Sequence, residues 1–151
     1  MTPGILTIRK ATLADTSAMI ALARESPGAA QWSRPQYEIA VSSPDRVAFV
    51  SGDDLGVDGF VVARAIGGEW EIENIVVTEK SRRRGLGGRL LAQIIDLARR
   101  RTAAVIFLEV RESNTGARSF YEKNGFIQSG RRGQYYHEPE EDARVYRREL
   151  K

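Results

Sequence analysis

The sequence predicts an α/β fold in which a mixed, mostly antiparallel sheet is flanked by helices. Three observations carry that reading. First, residues 47–51, 59–66 and 70–77 are β-branched apolar runs separated by the turn-forming stretches GDDLGVDG and Gly67-Gly68, as in an antiparallel meander. Second, residues 88–101 place Leu90, Leu91, Ile94, Ile95 and Ala98 at helical spacing, so that helix buries one face. Third, residues 103–110, AAVIFLEV, form an almost unbroken apolar run, as expected of a strand covered on both sides. Strand 70–77, helix 88–101 and strand 103–110 make one βαβ unit, whose strands should be parallel and whose crossover should be right-handed.

The remaining elements follow in order. Leu6 to Lys10 alternates like a short strand. Asp15 reads as the N-cap of a helix with Met19, Ile20, Leu22 and Ala23 on its apolar stripe, and Pro27-Gly28 ends it. Residues 31–41 give a second short helix capped by Ser33, with Pro35 in its first turn. Trp32 either staples the start of that helix or lines a groove beside it. Beyond the βαβ unit, Ser113-Asn114 opens a helix through Lys123 that Asn124-Gly125 closes. Phe126 to Ser129 and Ala143 to Glu149 are a final pair of strands joined by a long polar connection.

Composition bounds the function. A chain of 151 residues with 42% hydrophobic and 28% charged residues is expected to fold as one domain, residues 1–151. With no cysteine there is no disulfide, thiolate metal site or cysteine nucleophile, and a single histidine, His137, cannot build a multi-histidine metal site. No metal is expected. The net charge of +3 is too small to indicate nucleic acid by itself, and no apolar run approaches a signal peptide or membrane span, so the expectation is a cytoplasmic protein.

The chemistry concentrates between residues 71 and 89, EIENIVVTEKSRRRGLGGR. A strand enters a short polar connection, then a basic glycine-rich loop, then a helix start. Gly85, Gly87 and Gly88 let a ligand approach the backbone, and free N–H groups at a helix start attract a phosphate or pyrophosphate. Arg82, Arg83, Arg84 and Arg89 add full charges at the same point. The loop has neither the G-x-x-x-x-G-K-[ST] of a P-loop nor the third glycine of a dinucleotide fingerprint. What it fills, from Arg82 to Gly87, is [QR]-x-x-G-x-[GA].

That pattern resembles the coenzyme A pyrophosphate loop of the GNAT superfamily of N-acetyltransferases. A second stretch, LEVRESNTGARSFYEKNGF, is similar to the later half of the same core, V-x-x-x-N-x-x-A-x-x-x-Y-x-x-x-G-F, through Val110, Asn114, Ala117, Tyr121, Gly125 and Phe126. The resemblance implies the GNAT fold, acetyl-CoA as cosubstrate, and a parallel strand pair that splays beyond Val77 and Val110. Backbone groups of Ile75, Val76 and Val77 would then hold the pantetheine arm, Arg82 to Arg89 (including Leu86) the pyrophosphate, and Asn114 the pantetheine from the other side. Tyr121 would stand near the sulfur as acid. More narrowly, LEVRESN and RRGQYYHEPEEDA (Arg131 to Ala143) resemble the ribosomal-protein-alanine branch, which acetylates protein N-terminal α-amines with the LEVR glutamate, here Glu109, as base. Tyr135 and Tyr136 would line the peptide groove or pack a hairpin. They stand one residue further from the arginine pair than in that pattern, and Arg82 stands where Gln is common.

Three carboxylates compete for the role of base. Glu71 and Glu73 share a face of one strand, near the polar GGEW turn, and are expected to be solvated. Glu109 interrupts an apolar strand, where desolvation should raise its pKa, and is the expected base. Two alternatives to a protein N-terminus remain open: a small amine or polyamine as acceptor, and a non-catalytic coenzyme A sensor or RNA-binding module. The presence of both Glu109 and Tyr121 argues against the last.

Overall fold

The computed structural model describes residues 7–53, 56–82, 84–137 and 139–150. Seven strands form one sheet in the order β1-β2-β3-β4-β5-β7-β6. They are β1 (Thr7–Lys10), β2 (Arg46–Asp53), β3 (Gly56–Ile66), β4 (Glu69–Val77), β5 (Val105–Arg111), β6 (Ile127–Tyr136) and β7 (Glu141–Glu149). The helices are α1 (Thr16–Arg24), α2 (Arg34–Ser42), α3 (Glu79–Arg82), α4 (Leu86–Arg100) and α5 (Thr115–Lys123). All neighbouring strands are antiparallel except β4 and β5, which are parallel and joined by the α4 crossover. The predicted mixed sheet is therefore the observed one. The first residue of the predicted first strand, Leu6, lies outside the described residues.

Alternation along the strands divides the core between the two faces of the sheet. On one face Val61, Ala63, Trp70, Ile72, Ile106, Leu108 and Val110 pack on α4 through Leu86, Leu90, Leu91, Ile94 and Ala98. Tyr121, Phe126 and Tyr146 extend that cluster toward α5. On the other face Phe60, Val62 and Val76 pack on α1 and α2 through Met19, Ile20 and Tyr37. Trp32 lies just ahead of the Ser33 cap of α2 with its ring 5.3 Å from that of Tyr37, so it staples the helix start. No described helix is long and apolar enough to cross a membrane.

Three local expectations are corrected and one is met in position only. Asp15 is the N-cap residue of α1, but its side chain makes no cap hydrogen bond: it closes a short 3-10 turn, Leu13–Asp15, accepting from the Thr12 N–H at 2.8 Å and from both terminal nitrogens of Arg9 at 2.8 Å each. A partner that is a cation outcompetes an exposed helix N–H. Helix α4 starts at Leu86, ahead of Gly88, because Gly85 takes the left-handed cap conformation with φ 73°. The polar stretch after Ser129 is not a loop but the continuation of β6 to Tyr136, an edge strand whose two polar faces hide its periodicity. The strand pair also parts earlier than Val77 and Val110, as described next.

Candidate active site

The site begins with a β-bulge. Val62 of β3 pairs with Asn74 of β4, and the next residue, Ala63, pairs with Ile72, which leaves Glu73 as the extra residue. A bulge bends its strand and shifts the inward–outward alternation. Trp70 and Ile72 face α4 before it, and Ile75 and Val77 after it. The bend also carries β4 away from β5. Their parallel pairing covers only Glu69 to Glu71 against Val105 to Phe107, so the splay opens directly after Glu71. Meanwhile β5 stays paired with β7 as far as Arg111. The edge of β4 through Ile75, Val76 and Val77 therefore has no strand partner on the β5 side, and its backbone groups need one.

Behind that opening stands the start of α4. The Arg89 N–H returns to the Gly85 carbonyl at 3.2 Å, and no side chain caps the helix, which leaves the N–H groups of its first turn, Leu86 to Gly88, directed outward. Arg84 and Arg89 are exposed and make no ion pair among the described residues. Arg82 turns back instead, its Nε donating to the Val77 carbonyl at 3.2 Å, so it ties the loop to the strand end. Arg83 lies outside the described residues. The three glycines serve different purposes. Gly85 supplies the left-handed cap; a Cβ on Gly87 would lie 3.1 Å from the Phe120 ring of α5; and one on Gly88 would make an ordinary 3.5 Å contact with Asn124. The first need met by Gly87 is thus the close approach of α4 to α5. The uncapped helix start, the two free guanidiniums and the unpaired strand edge fit a long ligand with a pyrophosphate at one end.

The three glutamates converge on the sheet face opposite α4, but in different environments. Glu73 is held by Arg46, Nε to Oε1 at 2.7 Å, and Arg46 also reaches Asp45 at 3.0 Å. Glu109 is held by Arg132 of β6 at 2.7 Å, and it pushes the pKa of the nearby Tyr135 phenol upward. Glu71 makes neither a hydrogen bond nor an ion pair among the described residues, and its pKa is raised, first by burial and then by the charges of Glu73 and Glu109. Glu109 is desolvated as expected, its side chain being 13% exposed, but it is paired, and Glu71, expected to be solvated, is the partly buried carboxylate without a partner among the described residues. The cause is tertiary: β6 brings a guanidinium and a phenol to Glu109, whereas the bulge leaves Glu71 facing only Arg64 across the β3 ladder.

On α5, Tyr121 is buried between Phe120 and Phe126, with ring centroids at 5.2 and 5.7 Å. Its hydroxyl has no hydrogen-bond partner among the described residues, and burial pushes its pKa upward. Tyr136 faces it; burial and then Glu109 push that phenol up to about 12. Asn114 spends its side-chain oxygen on the Ala117 N–H at 3.1 Å as the cap of α5, and its amide nitrogen lies beside Gly28. Tyr135 and Tyr136 meet edge to face at 5.1 Å, and Arg111 lies over the Tyr136 ring at 4.4 Å. Arg111 also lines an open cleft with Pro27, Gly28, Gln31, Ser113 and Glu141, between the end of α1 and the β6–β7 turn. Sequence reasoning missed Arg132 and Tyr135 as partners of Glu109, and no local pattern marks contacts that span more than twenty residues. It also missed the Asn74 amide, which donates to the buried Tyr37 hydroxyl at 3.5 Å.

The Acetyltransferase (GNAT) family model matches residues 16–126. N-alpha-acetyltransferase RimI of Mycobacterium tuberculosis is 38% identical over 81 residues, which is 54% of this chain and 49% of that protein. The ribosomal protein bS18-alanine N-acetyltransferase of Escherichia coli K12 is 38% identical over 85 residues, 56% of each chain. The chain thus spans about half the length of the curated relatives it matches. The crystal structure of the ribosomal-protein-S18-alanine N-acetyltransferase from Escherichia coli superimposes with a TM-score of 0.85 at 27% identity, covering 97% of this chain and 94% of that one.

Proposed function

Because the chain belongs to the GNAT acetyltransferase family, we propose that it transfers the acetyl group of acetyl-CoA to the N-terminal α-amine of a protein. The observation that carries this reading is the parting of β4 from β5 after Glu71, with an uncapped helix start behind it and glutamates at its mouth. The pyrophosphate rests on the first-turn N–H groups of α4, with Arg84 and Arg89 supplying charge. The pantetheine adds to the free edge of β4 at Ile75 to Val77, and the Asn114 amide faces it from α5. Acetyl-CoA supplies the activated acyl group; the chain orients it and moves two protons.

In the transfer the amine nitrogen forms a bond to the thioester carbonyl carbon, and the carbon–sulfur bond breaks. The nitrogen's proton passes to the Glu71/Glu109 pair. Within it Glu71 is the acceptor, since it has no competing partner and its raised pKa lies closer to working pH. Burial first, and then the neighbouring charges of Glu73 and of Glu109, the latter held by Arg132, make Glu71 more basic. The departing sulfur takes a hydrogen bond and then a proton from Tyr121, whose raised pKa keeps the phenol protonated until the sulfur leaves; the phenolate then recovers a proton from solvent, balancing the one that Glu71 took from the amine and releases.

The acceptor follows from the base and the cleft. An α-amine of pKa ~8 is about one-tenth neutral at pH 7, whereas a lysine at ~10.4 is neutral roughly once in 2,500 molecules. A carboxylate of modestly raised pKa is sufficient for the first and weak for the second. The cleft between Gln31, Arg111 and Ser113 gives the residues after the amine an open path to solvent. A ribosomal-protein N-terminus is the first candidate, from the names of the relatives. Incubating the protein and acetyl-CoA with N-terminal peptides and with small amines tests the reading. Mass gain on peptides is expected, and gain on small amines alone would overturn the acceptor.

A further inference from the structure

We propose that Arg132 determines how much positive charge an acceptor is allowed to bring to the cleft. By pairing with Glu109 it leaves Glu71 as the one glutamate of the three without an ion pair among the described residues, so the site admits one ammonium and turns away polyamines and other closely spaced dications. The inference rests on the acceptor reading above and adds a selectivity that the reading does not contain.

The charges around Glu71 and Glu109 are four carboxylates and three guanidiniums, with Arg111 further along β5 over the Tyr136 ring. The carboxylates are Asp45, Glu71, Glu73 and Glu109; the guanidiniums are Arg46, Arg64 and Arg132. Arg46 serves Asp45 and Glu73, Arg64 stands opposite Glu71 in the β3–β4 ladder, and Arg132 serves Glu109. Glu71 is the carboxylate of this group without a hydrogen bond or ion pair among the described residues. Glu71 pairs with Phe107 across the parallel ladder, and Glu109 is the next residue of β5 on that face, close enough for its charge to raise the Glu71 pKa. Without Arg132, these would be two adjacent, partly desolvated anions, the arrangement that a diamine binds best.

Arg132 is placed for this role by the strand that carries it. Its side chain is 54% exposed while that of Glu109 is 13% exposed, so the guanidinium covers the carboxylate from the solvent side. It also stacks at 4.6 Å on the Tyr135 ring, whose phenol has its pKa raised by the same carboxylate. The residues on either side are pinned to Asp142. The Gln134 N–H donates to its Oδ1 at 2.8 Å, and Arg131 Nε donates to its Oδ2 at 2.7 Å. Gln134 lies at φ 51° within a bulge that sets Gly133 to Tyr135 against Asp142 alone. That bulge absorbs the extra residue between the arginine pair and the tyrosines and points Arg132 and Tyr135 at Glu109 together.

The test compares wild type, Arg132→Gln and Arg132→Lys. For each, kcat/KM is measured for an alanine-initiated peptide and for spermidine, and spermidine binding is measured by calorimetry. Arg132→Gln should raise spermidine affinity, and its kcat/KM relative to the peptide, roughly tenfold, with the gain fading at high salt. Arg132→Lys keeps the charge and should keep the wild-type ratio. An unchanged ratio and affinity in Arg132→Gln, or an Arg132→Lys that behaves like Arg132→Gln, would overturn the charge role of Arg132. If wild type acetylates neither acceptor, the transfer reading fails, and the calorimetric comparison still decides the role of Arg132.

Discussion

Replacing Gly87 with alanine tests the proposal that the start of α4 holds the pyrophosphate of acetyl-CoA. The new Cβ would lie 3.1 and 3.2 Å from Cε1 and Cζ of Phe120 and 3.7 Å from Cγ2 of Val77. Carbon atoms prefer about 3.5–4.0 Å, so α4 or α5 must give by several tenths of an ångström. Overpacking of this kind costs about 1–3 kcal/mol, and the better helix propensity of alanine returns at most about 1 kcal/mol. The net loss should be about 1–2 kcal/mol, a fall in Tm of roughly 2–8 °C for a domain of this size. The same shift moves the Gly87 N–H away from the pyrophosphate, so the Kd for acetyl-CoA should rise about tenfold. A double-mutant cycle with Phe120→Ala, read by thermal melts and titration calorimetry, should show favourable coupling of about 1 kcal/mol. Gly88→Ala, with only a 3.5 Å contact to Asn124, should stay within about 0.5 kcal/mol of wild type. Additive effects in the cycle, with acetyl-CoA binding still lost, would show that the ligand and not Phe120 requires this glycine.

Three further substitutions probe other parts of the account. Glu71→Gln should raise Tm at pH 7 while lowering kcat/KM most at low pH. A raised carboxyl pKa means the folded state holds the proton more tightly, so the group favours folding below its ordinary pKa and loses that contribution as pH rises through the folded value. A Tm unchanged between pH 4 and 8 relative to wild type would contradict this. Tyr121→Phe should reduce kcat about 100-fold and leave acetyl-CoA affinity and Tm nearly unchanged, since the ring packing stays and the hydroxyl has no protein partner among the described residues. Asp15→Asn should cost about 2 kcal/mol at pH 7. Arg9, then the Thr12 N–H, holds the Asp15 carboxyl below its usual range, so its stabilisation is present above about pH 4 and fades as pH falls; acid melts of the variant should be flatter.

The elements that repeat a simple period were legible in the chain. The β2–β3–β4 meander, the amphipathic α4 and the doubly covered β5 each follow from residues whose neighbours in sequence are also their neighbours in the element. The loop from Arg82 to Arg89 was legible for the same reason. What escaped was whatever depends on a partner far along the chain. The bulge at Glu73 is an accident of pairing with Val62 and Ala63, and it moved the splay from Val77 back to Glu71. The continuation of β6 through Arg131 to Tyr136 is polar on both faces because it is an edge strand, so no alternation marks it. Asp15 takes the cap position expected of it, but Arg9 claims its carboxylate. Glu109 looks like a lone carboxylate in an apolar strand, yet Arg132 and Tyr135 reach it from β6. Its competitor Glu71 looks solvated and is the one left without a partner.

The central claim is that the splayed strands deliver an acetyl group to an α-amine. The direct measurement uses one peptide that begins with alanine and contains an internal lysine, incubated with acetyl-CoA and the protein and then mapped by fragmentation mass spectrometry. The account predicts a single acetyl group on the α-nitrogen of the alanine, lost when Glu71 is replaced by glutamine. Acetylation of the lysine ε-nitrogen, or an α-nitrogen product that forms equally fast with the Glu71→Gln protein, would contradict it.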